Sequence, residues 1–230
     1  RGVTPPEIVQ TEMQPPEIDT VNLMLRHAKE IDHPLYPCLE LIALTGLRRG
    51  EALALRWKDV DLGKSKIRIN RSLVRTLDNG LQFEAPKNGE GRTVSIDDDT
   101  VSLLRIYQGQ LIGWRTELGD MWEDEDLVFP NTLPEGGTLG SVVNPDRLTR
   151  NAKALFKEVG HPLSSGQAIH ILRHFHATLL INEGKSVTQV AKRLGHKDQG
   201  TTSKVYAHLF EDSDKETAND GRKAMKTRGS

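Results

Sequence analysis

The chain has 230 residues and a mass of 25.7 kDa, with 36% hydrophobic and 27% charged residues. This composition is typical of a globular protein with enough residues for a sizeable core. Its single cysteine, Cys38, excludes an intramolecular disulfide and a zinc site of four cysteines, and it fits a reducing, cytoplasmic setting. No apolar run approaches the roughly 20 residues of a bilayer-spanning helix, so no membrane partner is expected.

Charge is unevenly distributed along the chain, although the formal net charge is only −1. Residues 41–96 hold 11 basic and 6 acidic side chains, and residues 173–210 hold 6 and 2. Residues 97–172, between them, hold 6 basic and 12 acidic side chains. If the fold brings the two basic segments together, the molecule has one basic face with the acidic segment mostly turned away from it. The alternative is that the charges scatter over a solvated surface.

Helices are predicted where apolar residues recur at helical spacing between capping residues. They are 17–31, a segment after Pro34 or Pro37 that stops at Gly46, 49–56, 97–118, 145–159, 166–183, 186–194 and 201–210. Asp97–Asp99 are predicted to supply an N-cap and a favourable charge for one helix, Asn144 opens another, and Gly195 is a predicted helix end. The segment 119–145 is expected to be a long acidic connection.

Strands are predicted between the third and fourth helices, where β-type runs alternate with turn signals. The runs are Lys66–Val74, Leu81–Ala85 and Arg92–Ile96. The sequence therefore predicts a mostly α fold with a small three-stranded antiparallel β-sheet.

Two patterns in the first basic segment carry side chains suited to binding an anion. Arg48 follows the helix break at Gly46 and can present its guanidinium at a cleft, with Glu51 close enough to brace a neighbouring arginine. The alternative is a surface Arg-Arg pair at a helix start. Lys87 lies in the turn of a predicted hairpin and can reach over a ligand, although most turn lysines are simply solvated.

Two further patterns lie near the C-terminus. His170 and Arg173 are three residues apart on one helix face, which suits an anion such as phosphate. His170 and His174 also have a metal-ligand spacing, but the zinc-protease pattern needs Glu where this chain has Ile171, and no third ligand is evident. His196 follows a helix-ending glycine, and Tyr206 lies in the next predicted helix, where a core or interface role is the alternative.

Taken together, the motifs TGLRRGE, HILRH and LGHKDQGTTSKVYAH resemble the tyrosine recombinase (phage integrase) family, over about residues 16 to 212. The resemblance implies the fold of that family's catalytic domain. The catalytic residues that it implies are Arg48, Lys87, His170, Arg173, His196 and Tyr206. Lys64 and Lys66 are the alternatives to Lys87, and His174 is given no catalytic role.

By the same resemblance, the chain is expected to be a site-specific recombinase that cleaves and rejoins double-stranded DNA without a metal ion, cofactor or ATP. Tyr206 is the implied nucleophile, which forms a 3′-phosphotyrosyl intermediate. Arg48, Arg173 and His196 would stabilise the phosphate, His170 is the candidate base and Lys87 the candidate acid.

The resemblance also implies a division of the chain. Because the chain begins at Arg1 without a methionine, we expect it to be a piece of a longer protein. The resemblance implies a bacterial or phage origin. Residues 1–15 are expected to be a linker from a missing N-terminal DNA-binding domain, and 16–212 the catalytic domain. Residues 213–230 are expected to be a tail, either disordered or exchanged between protomers. The family acts as a tetramer on DNA, whereas the isolated domain is expected to be monomeric.

Three alternatives differ in their observable properties. A type IB topoisomerase would relax supercoiled plasmids without exchanging partners. If the chain is a catalytically inactive DNA-binding module of the same fold, Tyr206→Phe would be indistinguishable from the parent in DNA strand cleavage. A histidine-based metal phosphoesterase would lose its activity in EDTA.

Overall fold

The computed structural model of the protein describes residues 18–76, 78, 80–86, 91–163, 167–196, 200, 203 and 206. Its elements confirm the predicted α+β fold with a small three-stranded antiparallel sheet. The helices in this part of the chain are α1 Ile18–Glu30, α2 Tyr36–Thr45, α3 Arg49–Leu53, α4 Asp98–Leu118, α5 Pro145–Glu158, α6 Ala168–Asn182 and α7 Val187–Leu194. The strands are β1 Val60–Asp61, β2 Lys66–Ile69, β3 Ser72–Thr76, β4 Gly80–Glu84 and β5 Arg92–Ser95.

Polar caps set the starts of three helices close to where the sequence predicts them. The side chains of Asp97, Asn144 and Ser186 each accept a hydrogen bond from a main-chain N–H in the first turn of α4, α5 and α7. Such caps satisfy N–H groups that have no partner within the helix. These helix positions could be predicted because the signal is local.

The three strands of the sheet are not those that the sequence predicts, because the run 66–74 is not a single strand, the predicted strand 81–85 lies outside this sheet, and β1 was not predicted. The first half of the run 66–74, β2, pairs with β1 and β5 in the three-stranded sheet, whereas β3 pairs with β4 in a separate two-stranded hairpin. Arg71 lies at the break: its Nε donates to the Ala54 carbonyl, and its guanidinium stacks 4.1 Å from the Phe83 ring centroid. These contacts draw the chain away from the first sheet and across α3.

The acidic connection 119–145 is more structured than predicted. It contains two short 3₁₀ turns, at Gly119–Met121 and Pro134–Gly136. Val128 and Phe129 are buried, and the Phe129 ring stacks on Tyr107 of α4. These side chains anchor the segment to the core.

The core forms around α2, which buries six of its ten residues. Its largest fully buried side chains come from most elements of the fold: Phe129, Phe156, Met24, Leu39, Leu41, Ile42, Leu47, Leu53, Ile67, Leu104, Leu148 and Leu155. A second, smaller cluster lies between α6 and α7 and consists of Ala177, Ile181, Val190, Leu194 and Tyr206. This second cluster places Tyr206 beside the end of α7.

Several predictions concern residues that the structure does not describe. The linker 1–15, the tail 213–230 and Lys87 lie outside the described residues. Of the predicted helix 201–210, only Ser203 and Tyr206 are described, and both are helical. None of the helices in the described part of the chain is long and apolar enough to span a membrane.

Candidate active site

Arg48 lies at the break between α2 and α3. Gly46 ends α2 in the left-handed conformation, with φ +67°, which glycine adopts readily. A Cβ at Gly46 would lie 2.5 Å from a methyl of Leu194, so the position also requires the absence of a side chain. The extended backbone of Arg48 then directs the chain out of the helix. Arg48 Nη2 donates to the Gly195 carbonyl at 3.0 Å, which joins this break to the end of α7.

The buried carboxylate of Glu51 holds the side chain of Arg48 in position. Glu51 is only 8% exposed, and it accepts hydrogen bonds from the main-chain N–H and from Nη1 of Arg48, at 2.8 and 2.9 Å. Arg92 of β5 donates to both oxygens of the same carboxylate, each at 2.7 Å. Burial alone raises the pKa of Glu51, but the bonds and charges of Arg92 and Arg48 outweigh it and hold the pKa below its usual value. Glu51 is therefore a charged brace shared by two arginines.

Arg173 of α6 is a buried cation placed between two helix ends. Its side chain is 8% exposed, and Nη1 and Nη2 donate to the main-chain carbonyls of Gly46 and Leu194 at 2.5 and 2.8 Å. Carbonyls at helix C-termini carry partial negative charge and suit a guanidinium. Burial, followed by repulsion from Arg48, lowers the pKa of Arg173 to about 10. Arg48 and Arg173 are thus fixed on successive carbonyls, and their combined positive charge favours an anion beside them.

Two histidines flank the arginines. His170 lies one turn before Arg173, and the loss of part of its hydration, followed by the charges of Arg173, Arg49 and Arg48, lowers its pKa. His196 follows the left-handed Gly195 at the end of α7, and burial together with the charges of Arg173 and Arg48 lowers its pKa to about 4. Both imidazoles are therefore neutral at pH 7, and each has one N–H to donate.

Tyr206 reaches the same place from the C-terminal side. The residue is 4% exposed, and its hydroxyl lies 2.8 Å from His174 Nδ1. Burial raises the pKa of the Tyr206 phenol to about 12, against the opposing effect of the Arg173 charge. The hydroxyl is therefore protonated at neutral pH and shares a hydrogen bond with His174.

The structure brings together the five predicted site residues that it describes. Arg48, His170, Arg173, His196 and Tyr206 meet around the ends of α2 and α7 and the first half of α6. The sixth, Lys87, falls in the undescribed segment 87–90 between β4 and β5. Its role stays a prediction.

Three contributions to the site were missed in the sequence. The sequence patterns assign no role to Arg92, which binds Glu51, and none to His174, which contacts the tyrosine. Arg193 donates from Nε to Nε2 of the buried His176 at 2.8 Å and from Nη2 to carbonyls of α2 and β5. These partners are distant in sequence, and no local pattern reveals them.

The two basic segments are in contact, because Arg48 binds Gly195, Arg173 binds Gly46, and Arg92 Nε donates to the Arg193 carbonyl.

The acidic segment is not entirely turned away from the basic segments. The Asp146 carboxylate, at the start of α5, forms ion pairs with Arg49 and Arg75, each at 3.4 Å.

Among the described residues, no three His, Cys, Asp or Glu side chains are grouped as a metal site requires.

The sequence profile of the phage integrase family matches residues 17–213. An integrase of Staphylococcus phage L54a is 34% identical over 185 residues, which cover 77% of this chain and 49% of the relative. The tyrosine recombinase XerA of Saccharolobus solfataricus is 34% identical over 193 residues, covering 84% of this chain and 50% of the relative. The chain therefore belongs to the phage integrase family, whose members include the tyrosine recombinases.

Solved structures show the same fold. A crystal structure of XerA recombinase superposes with a TM-score of 0.66 at 24% identity, covering 95% of this chain and 67% of that one. The Tn1549 transposon integrase, solved in complex with transposon right end DNA, gives a TM-score of 0.64 at 19% identity, covering 88% and 63%. The chain spans about half the length of the curated relatives that it matches.

Proposed function

We propose that this chain is the catalytic domain of a site-specific DNA recombinase that cleaves and rejoins strands through a tyrosine. One observation carries the proposal: the guanidinium groups of Arg48 and Arg173, from distant segments, are fixed on successive carbonyls beside His196 and close to a buried tyrosine. This arrangement suits a phosphodiester attacked by a hydroxyl.

The proposed chemistry follows from where charge develops. Tyr206 Oη attacks the phosphorus, its proton passes to His170 as the proposed base, and the bond from phosphorus to the 5′-oxygen breaks. Arg48 and Arg173 stabilise the negative charge that gathers on the non-bridging oxygens, with His196 as a further donor. Lys87 gives a proton to the leaving 5′-oxygen. The product is a 3′-phosphotyrosyl link that retains the bond energy, so a 5′-hydroxyl reseals the strand without ATP or another cofactor.

The proposed partner is double-stranded DNA. The Tn1549 integrase was solved with DNA, and so was XerH recombinase bound to its difH substrate, which supports the assignment by fold. We place the action where such DNA lies, in the cytoplasm of a bacterial host. Assembly as a tetramer on DNA is proposed for the whole protein, with residues 1–15 as linker, 16–212 as catalytic domain and 213–230 as tail. This chain alone is proposed to be monomeric and to bind DNA weakly.

The test uses random DNA in place of a defined target site. The chain is incubated with a library of duplexes that carry a randomised central segment and a nick, so that a cleaved end diffuses away. Detergent-stable adducts are expected from the parent chain and from Tyr36→Phe, a matched control, but not from Tyr206→Phe. Absence of adducts, or equal adducts from Tyr206→Phe, would overturn the proposal. Sequence-independent relaxation of a supercoiled plasmid would instead favour a topoisomerase.

A further inference from the structure

The last turn of α7 binds three arginines through three successive main-chain carbonyls. The carbonyls of residues 193–195 accept, in that order, from Arg92 Nε at 3.2 Å, Arg173 Nη2 at 2.8 Å and Arg48 Nη2 at 3.0 Å. Carbonyls at the end of a helix carry partial negative charge, which suits guanidinium groups. A displacement of this turn would therefore move the partners of both arginines that are proposed to bind the phosphate.

His196 is attached to the same turn. Gly195 ends α7 in the left-handed conformation, and the main-chain N–H of His196 then donates to the Ala191 carbonyl at 3.0 Å. This bond closes the helix end, so the imidazole begins one residue beyond the carbonyl that Arg48 binds. The place of the last turn of α7 therefore also determines where His196 is presented.

The side chain of Arg193 joins this turn to three other elements of the fold. Its Nε donates to Nε2 of His176 on α6 at 2.8 Å, and its Nη2 donates to the carbonyls of Leu44 in α2 and Ser95 in β5, each at 3.2 Å. A guanidinium has only N–H groups to offer, so Arg193 is the donor in all three bonds. Together the three bonds hold the end of α7 against α2, α6 and β5.

The junction between these elements is closely packed. His176 is 5% exposed and Leu194 is fully buried, and a Cβ at Gly46 would lie 2.8 and 2.5 Å from their side chains. The partners of Arg193 are a ring nitrogen and two carbonyls, which a planar, forked donor can reach together and a lysine ammonium cannot. The contact therefore depends on geometry more than on attraction between opposite charges.

We infer that Arg193 is a positioning residue for strand cleavage, which holds the end of α7 so that His196 and the two phosphate-binding arginines meet the phosphate together. Its Nε and Nη2 are engaged by acceptors within the protein, so it acts through these residues rather than on the DNA. A misplacement of about 1 Å in such a site costs roughly 10²-fold in rate. This inference rests on the proposed function.

The test measures the rate of cleavage separately from the affinity for DNA. Adduct formation is followed in single turnover on a nicked duplex selected from the library, as the DNA concentration is raised to saturation. Arg193→Ala is expected to lower the saturated rate about 10²-fold, with little change in the half-saturating DNA concentration. Lys192→Ala, which removes an exposed cation from the same helix, is the control and is expected to keep the parent's saturated rate. A parent rate for Arg193→Ala, or a loss confined to the half-saturating concentration, would overturn the inference.

A double variant separates positioning from a general loss of structure. If Arg193 acts through His196, the variant that carries both Arg193→Ala and His196→Ala is expected to be faster than the product of the two single defects predicts. Partial unfolding would instead lower the rate by the same factor whether or not His196 is present. Defects that multiply would therefore overturn the inference.

Substitutions of His176 test the same anchor from its other side, and they serve if Arg193→Ala does not fold. His176→Gln keeps an acceptor for Arg193 Nε and is expected to cleave near the parent rate. His176→Leu fills the space without an acceptor, and it is expected to be slow while its circular dichroism matches the parent's. Equal rates for these two variants would overturn the inference and leave the proposed function standing. A parent chain that forms no adduct would overturn the proposed function, and this inference with it.

Discussion

Arg92 and Glu51, which lie 41 residues apart in the sequence, form a two-pronged ion pair with both hydrogen bonds at 2.7 Å. The pair joins the strand that follows the undescribed segment 87–90 to the short helix that begins after Arg48. Because Arg48 shares the same carboxylate, the position of its guanidinium depends on Arg92 as well.

Arg92→Ala is expected to destabilise the fold by about 3 kcal/mol, because it leaves a buried carboxylate with only one cationic partner. Arg75→Ala is the matched control, because its ion pair with Asp146 is exposed on both sides. Arg75→Ala is expected to lower the free energy of unfolding by less than about 1 kcal/mol. The measurement is the free energy of unfolding in urea. Equal losses for the two variants would show that the Glu51 network does not stabilise the fold as argued.

Arg173→Lys is expected to reduce the cleavage rate by about 10²- to 10³-fold while the fold is retained. A lysine ammonium lacks the planar fork with which Arg173 binds two helix-end carbonyls and which the proposed function also uses to bind the phosphate. The measurement is single-turnover adduct formation, with circular dichroism as the check on folding. Arg150→Lys, at an exposed position of α5, is the control. If Arg173→Lys cleaves DNA at the parent rate, the reaction does not depend on the forked guanidinium of Arg173.

Gly195→Ala is expected to cost more stability than Gly184→Ala, although both glycines have left-handed backbones, with φ of 68° and 72°. A Cβ at Gly195 would lie 2.7 Å from an Arg92 nitrogen, whereas a Cβ at Gly184 meets nothing within 4 Å. Both variants place an alanine in the left-handed conformation, which costs about 1 kcal/mol in each. Only Gly195→Ala adds the close contact with Arg92. Thermal unfolding measures both. Because His196 follows Gly195, only Gly195→Ala is expected to slow cleavage as well, and equal behaviour of the two would refute the close approach.

Stability is expected to fall as the pH drops below about 6.5, the ordinary pKa of histidine. Burial, followed by the charge of Arg193, lowers the pKa of the 5% exposed His176 to about 3. Between these values the unfolded chain binds a proton that the folded chain does not, so this contribution is complete above pH 6.5 and is lost as the pH falls. His196, with its pKa lowered to about 4, acts in the same direction.

The difference in melting temperature between pH 7.5 and pH 5 measures this effect. His176→Gln keeps an acceptor for Arg193 but does not titrate, so it is expected to show a smaller fall than the parent. His161→Gln, at an exposed position, is expected to match the parent. A fall as large in His176→Gln as in the parent would contradict the assignment.

Local signals in the sequence predicted the helices well, because the caps at Asp97, Asn144 and Ser186 and the glycine at the end of α2 act within one turn. Strand pairing was predicted less well. The run 66–74 has uniform β character, but its division depends on contacts of Arg71 with Ala54 and Phe83, which are distant in sequence.

The candidate site shows the same contrast. The order of its residue types along the chain was enough to name Arg48, His170, Arg173, His196 and Tyr206 by resemblance. The hydrogen bond between Tyr206 and His174 spans 32 residues, and the sharing of Glu51 by Arg48 and Arg92 depends on how β5 meets α3. Such pairings are set by tertiary packing, and no spacing rule along the chain encodes them.

The most direct test of the central claim is to identify the residue that becomes attached to DNA. Adducts from the nicked duplex are digested with protease and nuclease, and the modified peptide is sequenced by mass spectrometry. The account predicts a nucleotide joined through its 3′-phosphate to Tyr206, with a free 5′-hydroxyl on the released strand. A modification at any other residue, a 5′-phosphate linkage, or the same adduct from Tyr206→Phe would contradict it.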